Sequence, residues 1–233
     1  LGVNIALNSA KGTYLRIMII QGYGVKLIRL NREYLELLRT MRNSESVRQY
    51  MEYREEITPE MQEAWFQKID SEKDAYFIIF HNEKPVGMIN GSDIDWDKKE
   101  TRSGGIFIWE EEFLKSDLPL RASLLLTDVS LLLGMERTYA KILRENESAI
   151  RFNTLLGYEI LPGQELNQNQ EYVLEKANYL RKTKKVREML LKLFPGPIET
   201  LITDRNHVAS QNAIRRYAHL GELEKQQLKL MIL

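Results

Sequence analysis

Asn146-Glu147-Ser148-Ala149-Ile150-Arg151-Phe152-Asn153-Thr154-Leu155-Leu156-Gly157-Tyr158 is the stretch on which the reading of this chain turns. Asn146 is a good N-cap, because its side-chain oxygen can accept a hydrogen bond from an amide of the first helical turn. Gly157 supplies the residue at which a helix stops, since glycine enters the left-handed region without a steric cost. Tyr158-Glu159-Ile160-Leu161 then reads as a strand, and Ala149 is small where a bound molecule could pass close to the helix. Taken alone the segment is also an ordinary capped helix with a glycine stop, so its neighbours decide.

Immediately upstream, Arg137 to Leu143 reads as a strand. Before it comes a strongly apolar helix from Leu120 to Leu133, ended by Gly134, and before that the strand Gly105 to Trp109. This strand–helix–strand passage calls for a parallel pair. Further back, Tyr76 to Phe80 and Pro85 to Ile89 form a hairpin around the polar turn His81 to Lys84, and Asp97 to Glu100 is another turn. Val25 to Leu30 is a first strand, and Asn31 caps a helix carrying Tyr34, Leu35, Leu37, Leu38 and Met41. Thr58-Pro59 opens a second helix with Trp65, Phe66 and Ile69. Downstream, a polar loop over 162–170 leads to Glu171–Leu174, which can return antiparallel. The order β-α-α-β-β-β-α-β-α-β-β has three consecutive strands before a helix and so excludes a doubly wound parallel sheet. The expected fold class is mixed α/β (α+β), a mostly antiparallel sheet with one parallel pair.

Residues 1–17 read as an N-terminal extension, since Met18 would make a natural start. Residues 18–177 form the main domain, and 178–233 a helical C-terminal extension. Residues 177–193 make a basic amphipathic helix, Phe194-Pro195-Gly196-Pro197 breaks it, and the remainder reads helical. Leu180, Val186, Met189, Leu190 and Leu193 recur at helical spacing, and Leu223, Leu228, Leu230, Met231 and Leu233 form a second apolar set. Both sets are expected to cover the main domain or to pair with a second subunit as a homodimer. The run Arg181 to Arg187 could meet an acidic partner, a nucleotide or RNA, but reads first as the polar face of its helix.

The chain has 233 residues, 43% of them hydrophobic, enough for one real core. Lysine plus arginine and aspartate plus glutamate are equal at 33 each, so no global field collects nucleic acid or an anionic membrane. There is no cysteine, which removes disulfides, thiolate zinc sites and cysteine nucleophiles. The three histidines are scattered and suggest no metal site. Apolar runs such as Ile17 to Ile20 fall far short of the roughly 20 residues of a membrane span. The start lacks the basic and apolar regions of a signal peptide. These features together lead us to expect a soluble cytoplasmic protein with no nucleic-acid or membrane partner.

The spacing Asn146, Ala149, Gly157, Tyr158, following strand, helix and strand in that order, resembles the corresponding segment of GNAT N-acetyltransferases over roughly residues 18–177. The resemblance implies acetyl-coenzyme A as co-substrate and a primary amine on a small molecule as acceptor. It further implies that the two parallel strands splay apart and that the cofactor pairs with backbone at Ile106, Phe107 and Ile108, beside Asn146, Ala149 and Asn153. Met41-Arg42-Asn43, Val47 to Met51, Ile57-Thr58 and Trp65-Phe66 are similar to bacterial acetyltransferases of nucleotide-linked amino sugars. That likeness implies an acceptor pocket walled by Arg42, Met51 and Trp65, although Trp65 and Phe66 can equally be core aromatics. Helices like Ala149 to Asn153 also occur in ribosomal-protein acetyltransferases, which keeps a protein amine open as acceptor.

The chain departs from the family pattern in three places. The glycine-rich diphosphate cradle is replaced by Lys115-Ser116-Asp117-Leu118-Pro119-Leu120-Arg121. There Pro119 removes an amide and Asp117 adds a like charge. Lys115 and Arg121 could compensate by direct charge pairing, with Ser116, Leu118 and Leu120 around them, or Ser116 or Asp117 could simply cap the helix. The glutamate that many members carry early on the fourth strand falls at Ser103 or Gly104. The tyrosine that many carry on the next helix falls at Asn153, left to hold the sulfur or a water. Asp93 and Glu110 are the lead carboxylates to finish a proton path, beside Asp95, Glu111 and Glu112. Loss of all three features also raises a non-catalytic binding module on the same fold.

Overall fold

The computed structural model describes residues 18–49, 51, 53–202, 205 and 208–232, the expectation for residues 1–17 lying outside them. Strands β1 (Met18–Gly22) and β2 (Val25–Arg29) form a hairpin. Its two turn residues, Tyr23 and Gly24, both have positive φ (51° and 67°). That is the twist which two-residue hairpin turns require. A 3-10 turn capped by Asn31 leads to α1 (Leu35–Asn43), followed by α2 (Glu45–Arg48) and α3 (Pro59–Ile69). Thr58 caps α3 through the amide of Met61 at 3.2 Å, with Pro59 in the first turn. A second hairpin, β3 (Ala75–His81) and β4 (Lys84–Asp95), turns at Asn82 and Glu83, again both at positive φ.

Next come β5 (Glu100–Ile108), α4 (Glu111–Leu114), α5 (Leu118–Leu132), β6 (Arg137–Leu143) and α6 (Glu147–Leu156). β7 (Glu159–Ile160), β8 (Asn169–Glu175) and α7 (Lys176–Leu193) complete the main domain and begin the tail. The tail continues with β9 (Ile198–Ile202), α8 (Val208–Ala218), α9 (Glu222–Gln227) and β10 (Leu228–Ile232). All strands join one sheet in the order β10-β9-β1-β2-β3-β4-β5-β6-β8-β7. Within 18–177 the pairing is antiparallel except for β5 with β6, as the strand–helix–strand reading requires.

The two faces of the sheet are covered by different helices. On one, Ile20, Leu27, Phe77, Ile79 and Ile89 pack with Leu118, Leu124 and Leu125 of α5 and with Tyr179 and Leu190 of α7. On the other, Leu30, Ile78 and Met88 pack with Leu35 and Leu38 of α1 and with Phe66 and Ile69 of α3. The reason for α5's strong apolarity is that it lies under the sheet with little open face: Leu118, Ala122, Leu124 and Leu125 have no solvent exposure. Each fully buried leucine of this kind stabilises the fold by about 1.5–3 kcal/mol.

The tail differs from the sequence expectation. It holds the expected helices, but β9 and β10 extend the sheet past β1, β9 antiparallel to β1 and β10 parallel to β9. The stretch Ile198-Glu199-Thr200-Leu201-Ile202 buries alternate residues, a period of two that five residues disclose weakly beside long helices. Leu228, Leu230 and Met231 therefore lie in a strand and not on a helix, while Leu233 lies outside the described residues. In the sequence β1 likewise shows only an apolar run. Its strand state is fixed by partners on both sides, β2 and β9.

The apolar stripe expected on α7 also shifts. The helix buries Tyr179, Thr183 and Leu190 against the core, whereas Leu180, Met189 and Leu193 point outward. Tyr179 is the anchor. Its hydroxyl donates to Asp128 Oδ1 at 2.9 Å, while Tyr23 of the first hairpin donates to Asp128 Oδ2 at 2.7 Å. Arg187 brings its guanidinium to 3.6 Å from the same carboxylate. One buried acid on α5 thus ties the tail helix to the first turn of the sheet.

Candidate active site

β5 and β6 pair only at their starts, Glu100 with Arg137 and Thr101 with Thr138. Among the described residues, no strand pairing joins them from Arg102 to Ile108 or from Tyr139 to Leu143. β5 stays zipped to β4 on its other side as far as Ile108, and β6 to β8 as far as Leu143. The two strands therefore splay, and the edges that face each other keep backbone donors and acceptors for a guest that can hydrogen-bond like a strand. This is the backbone of Ile106, Phe107 and Ile108 singled out from the sequence.

At the open end of β6 stands α6. Asn146 caps it by accepting from the amide of Ala149 at 3.0 Å, and Gly157 ends it at φ 105°. Ala149 sits half-buried against Ala140 and Ile142 of β6. Asn153 lies one turn further on and spends one amide hydrogen on the Ala149 carbonyl at 2.8 Å, which fixes its side chain along its own helix.

The start of α5 is not built as the charge-pairing expectation required. Ser116 donates to the Phe113 carbonyl at 2.9 Å and accepts from the Leu118 amide at 3.1 Å, so it is a cap and is fully used. Pro119 has no amide, and the Leu118 side chain is entirely in the core, with Leu120 half-buried beside it. Arg121 turns inward, only 7% exposed. It donates to the Tyr23 carbonyl at 3.0 Å, pairs with Asp117 at 3.0 Å and stacks over Phe194 of the tail at 5.4 Å. Arg121 is thus a structural clamp, and Ser116 and the Leu118 amide are withdrawn with it as phosphate ligands. Lys115 alone of this set offers an exposed cation. Arg121→Ala should lower the melting temperature by several degrees, through roughly 1.5–3 kcal/mol of lost charge-assisted bonding. It should leave affinity for a coenzyme A ligand within about twofold. Thermal melts and titration of one variant check both.

On the α1/α3 side of the splay lies a floor that strand alternation builds. Ile106 packs with the α5-side core and Phe107 with the opposite cluster, so Gly105 shares Phe107's face. Opposite Gly105 on β4 is Asn90, whose amide donates to Ser92 at 3.3 Å. Tyr76 stands beside Ser92. Burial is the main cause that raises its phenol above the ordinary value, and a hydrogen bond to Ser92 opposes it. Trp65 meets Tyr76 edge-on at 5.1 Å, and Phe107 lies 6.0 Å from Trp109. Arg42 of α1 holds its guanidinium 5.9 Å from the centre of the Phe107 ring. Trp65 is therefore half core and half wall, and Phe66 is core. Met51 is half-buried after α2.

The carboxylates fare unequally. Glu110 is held by Lys84 at 2.6 Å at the hairpin end of the sheet, an engagement that suits a strand stop and not a base. Glu100 is buried where the strands still pair, held by Arg137 at 3.0 Å and Arg102 at 3.3 Å. Asp93 is exposed, at φ 53° on β4 next to Ser92. It opens on a cleft of about 760 Å³ shared with Arg102, Trp96 and Arg216 of α8. Sequence reasoning missed Tyr76, Asn90, Ser92 and Gly105. The available signal was the i, i+2 recurrence of Asn90 and Ser92, polar residues on the inner face of an otherwise apolar strand.

A mostly antiparallel sheet that parts at one parallel pair, with a capped helix rising from the parted strand, defines the class to which the sequence pointed. The family model described as the acetyltransferase (GNAT) domain matches residues 25–159, more than half the chain, and the chain belongs to that family. It is an acyltransferase by that membership. No curated protein matches it significantly in sequence. Solved structures resemble it at the level of fold. A nucleotide-linked sugar GNAT, FdhC in its apo form, is 18% identical with a TM-score of 0.60, covering 76% of this chain and 99% of its own. The spermidine N-acetyltransferase of Vibrio cholerae, in complex with CoA and spermine, is 16% identical with a TM-score of 0.59, covering 67% and 98%. The microcin C7 self-immunity acetyltransferase MccE, with acetyl-CoA and AMP, is 16% identical with a TM-score of 0.55, covering 65% and 92%. Among the described residues no helix is long and apolar enough to cross a membrane, and no cluster of three or more metal-ligating side chains occurs.

Proposed function

We propose that this chain transfers acetyl from acetyl-coenzyme A to a primary amine of a small acceptor, in first place an amino sugar carried on a nucleotide. The observation that carries the reading is the splay of β5 from β6 after two paired residues, with Gly104 and Gly105 at its centre. The backbone of Ile106 to Ile108 would receive the pantetheine amides, Asn146 and Ala149 would border them, and Lys115 would face the diphosphate. Bound there, the cofactor supplies an acyl group activated as a thioester.

The residues on the α1/α3 side then have to place a neutral amine against that group. Aromatic walls at Trp65, Tyr76, Phe107 and Trp109 exclude water, and Asn90 and Ser92 offer hydrogen bonds that fix orientation. The proton that the amine loses leaves by water towards Asp93, the exposed carboxylate nearest this floor in sequence; positioning supplies most of the rate. Asn153 keeps one amide hydrogen for the sulfur side.

Thiol release from acetyl-coenzyme A, followed with a nucleotide-linked amino sugar, a free amino sugar, a polyamine and a peptide amine, tests the reading. The expected result is acceptor-dependent release, greatest with the nucleotide-linked amino sugar and matched by mass gain of one acetyl group on the acceptor. Release that no acceptor accelerates would favour a binding module. Preference for the peptide would favour a protein acetyltransferase.

A further inference from the structure

Among the described residues, arginines on the first helices find carboxylates with one exception. Arg39 pairs with Glu36 at 2.6 Å and Arg48 with Glu45 at 2.8 Å, both at the solvent edge. Arg42 sits between them in sequence but turns toward the sheet. Its Nη1 is shut off from solvent and has no hydrogen-bond partner among the described residues. Burial lowers its pKa, and among the described residues no carboxylate acts to restore it. The Phe107 ring at 5.9 Å lies at the outer limit of a useful cation–π contact and satisfies none of the guanidinium N–H groups. A buried, unpaired donor on a charged group is costly to keep. Here it is kept on the face where Gly105, Asn90 and Phe107 floor the acceptor side of the splay.

We infer that the acceptor carries an oxyanion, phosphate or carboxylate, which Arg42 takes as the counter-ion it lacks among the described residues. The inference rests on the acetyl-transfer reading and narrows its substrate class from amines in general to amines that also carry an anion. A guanidinium offers two parallel donors, which matches the geometry of either oxyanion and makes the contact a positional fix as well as a charge pair. With the anion at Arg42 beside Phe107, the amine end of the same molecule extends along the floor toward Gly105. Polyamines, which bring only positive charge, are excluded by the same geometry.

The test uses acceptor pairs alike except for the anion: an amino sugar with and without phosphate, and an ω-amino acid, whose amine is too far from the carboxylate to change its basicity much, against its amide. For the wild type, KM should be at least about tenfold lower for the anionic member of one pair, a difference of about 1.4 kcal/mol. The pair that shows it identifies the oxyanion. Arg42→Gln should erase that difference by raising KM for the anionic member toward that of the neutral one, and Arg42→Lys should keep part of it. Equal loss on both members of each pair would make Arg42 structural and overturn the inference, as would wild-type preference for the neutral amine. Titration with inorganic phosphate and with acetate, on wild type and Arg42→Gln, separates this from the activity. Phosphate or acetate binding lost in the variant supports an anion site even if no acceptor is acetylated. Absence of binding of either anion together with equal KM values would refute it.

Discussion

Asp128→Ala is expected to cost about 3–5 kcal/mol of folding stability at neutral pH, a fall in melting temperature on the order of 10 °C. Asp128 is 7% exposed and accepts from two tyrosine hydroxyls that have no other route to a carboxylate. Alanine would strand the Tyr23 hydroxyl, leave the Tyr179 hydroxyl only the Leu124 carbonyl at 3.3 Å, and leave the Arg187 guanidinium without its nearest anion. Asp128→Asn keeps an acceptor and the volume and should cost less than half as much. Burial is the main cause that raises the Asp128 pKa above 3.8, the tyrosine bonds and Arg187 opposing it. A raised folded-state pKa means that the proton is held more tightly in the folded chain. The advantage of wild type over Asp128→Ala should therefore be greatest below about pH 4 and shrink as pH rises through the folded-state value. Denaturant titrations of the three proteins across that range check magnitude and sign together; an advantage that grows with pH would contradict the account.

Gly105→Leu is expected to lower kcat/KM at least about 100-fold, or about 2.7 kcal/mol in the barrier, with little change in melting temperature. A Cβ at Gly105 would meet only the Asn90 side-chain oxygen at 3.6 Å, an ordinary contact, so the strand accepts the substitution. The remainder of the leucine would stand on the floor where the acceptor must lie. Affinity for acetyl-coenzyme A should stay within a few fold, because the Gly105 backbone is unchanged. Gly104→Val contrasts with it. There a Cβ would lie 3.0 Å from the Asn90 main-chain oxygen, so β4 and β5 would have to shift and stability should fall as well. Full acetyl transfer by Gly105→Leu would place the acceptor elsewhere.

Local signals made the main domain legible. Asn146 and Gly157 bracket α6, Thr58 with Pro59 opens α3, and the polar turns bracket the β3–β4 hairpin. Each is a chemical requirement of the backbone that one residue type meets. The tail strands were not legible, because Ile198 to Ile202 and Leu228 to Ile232 are strands through their partners, β1 and each other, more than through their own pattern. The site divided in the same way. The order of elements called for the parallel pair, and the family resemblance implied that the pair splays. Arg121 looked like a phosphate ligand because nothing in the sequence says that Tyr23, 98 residues earlier, offers it a carbonyl. Glu110 looked free because its partner, Lys84, lies across a hairpin. Long-range pairing decides which charges remain available, and sequence spacing does not report it.

Calorimetric titration of the full chain with acetyl-coenzyme A tests the central claim most directly, that the parted strands β5 and β6 form an acyl-coenzyme A site. The account predicts saturable binding of one molecule per chain, with an affinity within the range of about 1 μM to 1 mM typical of enzyme substrates. Binding should persist in Arg121→Ala and in Gly105→Leu. Absence of binding at millimolar ligand in a folded wild-type sample would contradict it.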